Sequence, residues 1–342
     1  MDMLLTVGER KAMALLCMAL HDLGIDADSF TGSQAGIITD TEHTRAKIVD
    51  VRPDRIRDCL KAGKVAVVAG FQGMSTDREI TTFGRGGSDN TAVALAYSLG
   101  GDSFEKYSDV PGIFSADPRV VPDARKLSVV STEEMLEIAA TGSGVLMFRA
   151  VEFARNHGIR IHVRSSFSWE PGTWVVPEDE MEKSMEQPII SAVTHDTSEA
   201  KVTVANVPDR PGIAARLFGS LAESNVNLDM IVQNVSHAGI TDISFTVPKT
   251  DLELALGVCQ SHADELGAAE VASDAGIGKV SLVGAGMKPH PGVSARMFQT
   301  LADNDINIEM ISTSPIRITC VVRGEQVEEA VQVLHEAFGL AG

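Results

Sequence analysis

The sequence predicts an α/β protein: a sandwich on a mainly parallel sheet, followed by two interlocked ferredoxin-like βαββαβ units. Three observations carry that expectation. Residues 1–176 alternate helix-period and strand-period segments, as in a sheet covered by helices. Residues 211–231 (PGIAARLFGSLAESNVNLDMI) and 291–311 (PGVSARMFQTLADNDINIEMI) align without a gap and share ten of 21 positions. A repeat offset of 80 residues marks two copies of a small domain rather than a solenoid. Between these regions, residues 178–187 are densely charged and precede Pro188, as befits a linker or exposed helix.

The elements follow in order. Arg10 and Lys11 ahead of the apolar stretch 12–20 resemble a signal segment, but His21 and Asp22 follow with no small-residue cleavage site, and Glu9 lies upstream. An amphipathic helix is the reading adopted. Residues 65–69 form a buried-type strand ending at Gly70, 91–99 a helix after a glycine-rich loop, 132–140 a helix and 159–163 a strand. Each repeat then opens with a strand (201–207; 279–284), a Pro-Gly turn and a helix (213–224; 293–304). Two strands follow (226–235 and 242–247; 306–313 and 317–322), then a second helix (252–266; 326–338). The first copy closes with a strand at 268–273, whereas the second stops at Leu340-Ala-Gly. The unassigned run 189–194 is expected to supply the missing strand, which interlocks the copies. The expected domains are 1–176, a linker at 177–188, 189–278 (with 189–195 pairing into the second copy) and 279–342.

The 342 residues carry 29 Lys+Arg against 47 Asp+Glu, a net charge of −18. That field repels phosphate backbones and argues against a nucleic-acid partner. An anionic ligand needs a local basic pocket. Cys17, Cys59, Cys259 and Cys320 are scattered with no CxxC pair, against zinc or disulfide scaffolds and for a reducing cytoplasm. No apolar run reaches the ~18 residues of a membrane span.

The most informative segment is TTFGRGGSDNTA from Thr81. A strand ends, Gly86 and Gly87 let a ligand approach the backbone, and a helix start with free N–H groups attracts anions. Arg85 can grip a carboxylate through two parallel hydrogen bonds. The string is neither a Walker A loop nor a dinucleotide GxGxxG. A tight turn capped by Ser88 or Asp89 accounts for the same spacing equally well. In YSDVPGIFSADPR from Tyr107, Asp109 and Asp117 bracket two turns and Arg119 follows, which would suit a nucleotide; two successive Asp/Pro-Gly turns are the plainer account. Glu9 could receive a ligand ammonium or merely complement a helix start. SFTGSQAG from Ser29 is a small polar loop fit to line a pocket. In the repeats, Asp209, Asp229 and Gln233 would face Asn307, Ile308 and Thr313 if the copies pair. Asp229 would suit an effector ammonium, and backbone N–H groups near Gly212 or Gly292 its carboxylate.

Together these strings resemble one family. GER at 8, SFTGSQAG at 29, VAGFQG at 68, TTFGRGGSD at 81, YSDVPGIFSADPR at 107, VRSS at 163, QNVS at 233 and ISTS at 311 follow the order of the aspartate kinases, amino-acid kinases with C-terminal tandem ACT domains. The resemblance implies ATP-dependent phosphorylation of the side-chain carboxylate of L-aspartate to 4-phospho-L-aspartate, the first step toward lysine, threonine and methionine. It also implies Mg²⁺ on the phosphates, regulation by an amino-acid effector such as lysine or threonine, and a homodimer. It assigns Glu9, Thr31, Arg85, Gly86, Ser88 and Asp89 to substrate, and Ser108, Asp109, Phe114 and Arg119 to nucleotide, with Phe114 where the family often has Tyr. It assigns the six repeat residues above to the effector.

The sequence departs from the family pattern in three places. It contains no Lys-x-Gly-Gly string, which the family carries near its N-terminus, so the kinase-like domain is expected to be partial. Gly144 stands where a lysine is expected at the nucleotide, and Ala12 where a serine is common. Phosphoryl transfer depends on positive charge at the transferring oxygens. One preorganised donor is worth ~2.7–4 kcal/mol, so catalytic residues stay unassigned, with Lys106 and Lys11 as possible stand-ins. Three readings stay open: an aspartate kinase, perhaps completed by a partner chain; a kinase-like subunit that senses an amino acid; and a kinase of a related amino acid.

Overall fold

The computed structural model describes residues 1–181, 189–234, 239–287, 290 and 292–342. The expected linker falls largely outside these, as do Val235 and Ser236 of the QNVS string. Two compact units emerge: Met1–Ile113 with Lys126–Met185, and Phe114–Arg125 with Glu186–Gly342.

The first unit holds a two-stranded parallel sheet, Ala27–Phe30 beside Val65–Val68, and two four-stranded sheets. One sheet runs in the order Ile48–Val51, Ile37–Thr39, Gln72–Ser75, Ile80–Thr82; the other, Ser103–Ser108, Arg160–Ser165, Thr173–Val176, Val129–Ser131. The sheets are mixed where a mainly parallel one was expected. Ser103–Ser108 pairs parallel with Arg160–Ser165, but Gln72–Ser75 pairs antiparallel with Ile80–Thr82. The short link between the latter two permits only a hairpin. Helix Gly87–Leu99 begins four residues ahead of the sequence expectation and lies between two left-handed glycines, Gly86 and Gly100. Val93 and Ala94 on it are fully buried. Helix Thr132–Ala140 starts with a capping box, in which the Ser131 side chain accepts from the Glu134 amide and Glu134 reaches back to Ser131.

The second unit contains the repeat as two sheets of matching topology. The first copy orders its strands Ile231–Gln233, Ile240–Pro248, Glu199–Pro208, Glu270–Asp274. The second orders them Met310–Ser314, Arg317–Arg323, Ile277–Val283, Ala192–Asp196. Strand Ala192–Asp196 precedes the first copy in sequence yet pairs antiparallel with Ile277–Val283, so the second copy brackets the first along the chain. The strand expected at 226–235 is shorter, Ile231–Gln233, because Asn225–Met230 is irregular and turns at Asn225 with a φ of 55°.

Segment Phe114–Arg125 belongs to this second unit, although its sequence reads as part of the nucleotide motif. Ala116, Val120 and Val121 are buried with Leu334 and Leu340. Ser115 Oγ meets His335 Nε2 at 2.9 Å and donates to the Leu340 carbonyl. Burial pushes the His335 imidazole below its ordinary value.

Candidate functional site

In the first unit, two loops and helix Val7–Asp22 converge on residues Gly70–Gln72. A Cβ on Gly32, next to Thr31, would lie 2.0 Å from the Gln72 carbonyl oxygen, so only glycine lets the SFTGSQAG loop approach. Thr31 stabilises that loop itself: its N–H donates to Gln34 Oε1 at 3.0 Å, and its hydroxyl meets Ser33 Oγ at 3.1 Å. Arg10, beside Glu9 on helix Val7–Asp22, donates from Nε to Gln72 Oε1 at 3.0 Å, and Gln72 is buried. A Cβ on Gly70 would sit 3.1 Å from Ser88 Oγ.

Phe71 links this turn to the glycine-rich loop. It takes a left-handed φ of 70°, rare for a side-chain-bearing residue. Its N–H donates to Thr91 Oγ1 at 3.1 Å, while that hydroxyl donates to the Gly87 carbonyl at 2.9 Å. One threonine thus ties the turn to the first turn of helix Gly87–Leu99. Gly87 packs so closely that a Cβ would lie 2.9 Å from both Phe71 and Phe83. Gly86 combines a φ of 70° with a neighbour at short range, since its Cβ would meet Met147 Cγ at 1.7 Å.

The polar groups of the loop divide into two kinds. Arg85 and Ser88 are exposed. Asp89 is 12% exposed at its side chain and accepts a 2.7 Å ion pair from Lys106 Nζ, itself 21% exposed. The buried Asn90 Oδ1 has no hydrogen-bond partner among the described residues. Such a loop, with an exposed guanidinium and exposed hydroxyl at a helix start and a half-buried lysine from a neighbouring strand, is equipped to hold carboxylate and phosphate oxygens. Sequence reasoning missed Gln72, Phe71 and Thr91 as organisers. Gln72 stood within a motif string, but nothing in its spacing marks its contacts.

Ser108 ends strand Ser103–Ser108, and its Oγ donates to Asp109 Oδ1 at 3.0 Å. Phe114 and Arg119 lie in the second unit. There the Arg119 guanidinium bonds Asp117 at 2.7 Å and holds that carboxyl below its ordinary value.

The repeated domains carry a second polar cluster. Lys279, almost fully buried, places its ammonium 2.6 Å from Asp229, 2.8 Å from Glu199 and 3.7 Å from Asp196. Burial opposes its charge, but Glu199 and Asp229 prevail and hold it above its ordinary value. The equivalent lysine of the first copy, Lys201, pairs with Glu309, which Arg323 also contacts at 2.9 Å. Lys201 and Lys279 are repeat equivalents, as are Asp229 and Glu309, so the two copies exchange reciprocal ion pairs. Asp229, expected to face an effector ammonium, faces a protein ammonium. Asp209, Gln233, Asn307 and Thr313 are exposed, and Ile308 packs partly buried on the second copy's core.

Known proteins share this architecture. Residues 1–165 match the amino acid kinase family, and residues 201–262 and 280–338 match an ACT domain. An aspartokinase of Mycobacterium tuberculosis (strain ATCC 25618 / H37Rv) is 54% identical across 100% of this chain and 82% of its own length. An aspartokinase of Corynebacterium glutamicum is 50% identical over the same shares. The crystal structure of E. coli aspartokinase III with aspartate and ADP superposes with a TM-score of 0.84 at 27% identity, covering 98% of this chain and 75% of that one. The same enzyme with lysine and aspartate gives 0.73 at 27% identity over the same shares.

Proposed function

The chain belongs to the aspartokinase family, and from that premise we propose how its own residues serve phosphoryl transfer from ATP to the side-chain carboxylate of L-aspartate. The observation that carries the proposal is the convergence of the SFTGSQAG and GRGGSD loops on Gly70–Gln72 of the AGFQG turn, locked by Gly32, Thr91 and Gly87. Arg85 holds a substrate carboxylate, and Ser88 and Thr31 donate beside it. Glu9 takes the α-ammonium. Gly86 keeps the backbone close, and Asp89 anchors a cation. Ser108 and Asp109 contact the nucleotide from the first unit. Mg²⁺ arrives on the phosphates; among the described residues no group of three His, Cys, Asp or Glu side chains could hold a metal.

The reacting carboxylate is already ionised at neutral pH, so no general base is required. The work is positioning two anions and screening their repulsion. An amino-acid effector binds the ACT pair through Asp209, Asp229, Gln233, Asn307, Ile308 and Thr313, and lysine or threonine fits an acidic cluster and exposed strand edges. An effector ammonium at Asp229 has to compete with Lys279, which ties effector binding to the contact between the copies. A cytoplasmic homodimer is the expected assembly. No helix among the described residues is long and apolar enough to cross a membrane.

The test is aspartyl phosphate formation from ATP and aspartate, trapped with hydroxylamine, beside calorimetric titration of each substrate. Binding of both, with Arg85→Ala weakening aspartate, is the expected result. A folded chain that binds neither substrate refutes the reading.

A further inference from the structure

We propose that Lys106 is a further cation of the phosphoryl-transfer site: anchored on Asp89, its ammonium takes the phosphate oxygens of bound nucleotide. The proposal rests on the kinase reading above and adds a residue to it. Four observations carry it.

First, Lys106 lies near the C-terminal end of strand Ser103–Ser108, which runs parallel to Arg160–Ser165. The C-terminal ends of parallel strands are where α/β sheets receive ligands. Second, side chains on a strand alternate, so Lys106 shares a face with Ser108, the expected nucleotide contact two residues on. Third, Lys106 Nζ sits 2.7 Å from Asp89 Oδ2, in the first turn of helix Gly87–Leu99. That places the ammonium at the head of the glycine-rich loop, where helix N–H groups already favour anions. Fourth, an ammonium has three donors, and Asp89 is its one partner among the described residues. The side chain is only 21% exposed. A largely buried ammonium with donors to spare is matched to a further anionic acceptor.

The chemistry needs such a charge. A carboxylate oxygen of aspartate forms the new O–P bond as the bond between the γ-phosphorus and the β,γ-bridging oxygen breaks. ADP leaves with the electron pair, and no proton moves. Charge on the transferring phosphoryl oxygens is at issue throughout, and the Lys106 side chain supplies a cation at the loop where those oxygens would lie. Gly144, where a lysine was expected, supplies no charge, and a Cβ there meets nothing within 4 Å. Asp89 keeps Lys106 extended toward the loop, so the ion pair is a mount for the cation.

The experiment compares the full chain with Lys106→Met and Lys106→Arg. It uses calorimetric titration with Mg²⁺ and a non-hydrolysable ATP analogue, aspartate titration, hydroxamate turnover and thermal unfolding. Lys106→Met is expected to weaken analogue binding by about tenfold or more and to lower turnover by about 100-fold, the loss typical of one removed charge donor. Lys106→Arg is expected to recover much of both. A purely structural ion pair would lower the melting temperature and leave nucleotide affinity unchanged. A folded Lys106→Met protein with wild-type analogue affinity therefore overturns the proposal and leaves the kinase reading standing. A wild-type chain that binds neither the analogue nor aspartate overturns both.

Discussion

Gly86→Ala tests the glycine-rich loop at its tightest point. Gly86 has φ 70° and ψ 11°, a left-handed conformation that costs an L-residue roughly 1–2 kcal/mol. The added Cβ would lie 1.7 Å from Met147 Cγ, 2.6 Å from Met147 Cβ and 3.0 Å from its sulfur. The methionine stem, not just its flexible tip, has to move, which adds about 1–3 kcal/mol of overpacking. The sum is about 2–5 kcal/mol, and a unit of this size loses about 2–4 °C per kcal/mol. Calorimetry should therefore show Gly86→Ala melting at least about 4 °C below wild type. Met147→Ala in the same chain removes the Cγ and sulfur contacts and keeps the 2.6 Å contact to Cβ, so it should relieve part of the about 1–3 kcal/mol of overpacking and leave the conformational cost, read as a coupling in a double-mutant cycle. Gly144→Ala is the control: it has open space and no left-handed φ, so it should change stability by less than about 1 kcal/mol. If Gly86→Ala melts with wild type, or if Met147→Ala returns nothing, the loop is not locked as described here.

Further outcomes concern the second unit. Lys279→Met leaves Glu199 and Asp229 without their buried counter-charge and should cost about 3–5 kcal/mol in urea unfolding; Lys201→Met should cost less, since Arg323 still serves Glu309. The two clusters differ in pH dependence. Lys279 is raised, so its contribution is present below its ordinary value and lost only as pH rises through its higher folded value. Asp274, lowered by its hydrogen bond from Arg323, contributes above the ordinary carboxylate range and loses that contribution as pH falls; for Glu309 burial works the other way, but Lys201 and Arg323 prevail. His335 is lowered by burial, so its contribution is complete above its ordinary pKa of about 6.5 and is lost as pH falls below it. His335→Gln should flatten that part of the stability profile. Burial pushes Cys259 to about 11 and Cys320 to about 12, so iodoacetamide near neutral pH should modify neither until the chain unfolds.

Much of the fold was readable because its signals are local. The gapless repeat announces two like domains, and the missing last strand of the second copy points to a donor strand ahead of the first. The structure pairs Ala192–Asp196 there. The candidate site was readable where it depends on backbone demands, as at Gly86 and Gly87. It was not readable where it depends on which side chains meet. Lys106 stood out only as a spare lysine, and nothing in its neighbourhood in sequence points to Asp89, 17 residues earlier. Phe71 is unremarkable by type, and its left-handed backbone is held by Thr91 from another element.

By itself the sequence determined the family, the order of domains and the glycine positions, because periodicity, turns and motif strings are properties of neighbouring residues. The tertiary structure alone decided the partners of the charges. It gave Lys106 to Asp89 and Lys279 to Asp229, and it packed Phe114–Arg125 into the unit that holds the repeats. Ion pairs and buried contacts form between residues far apart in the chain, and their choice rests on burial and geometry that exist only once the chain has folded.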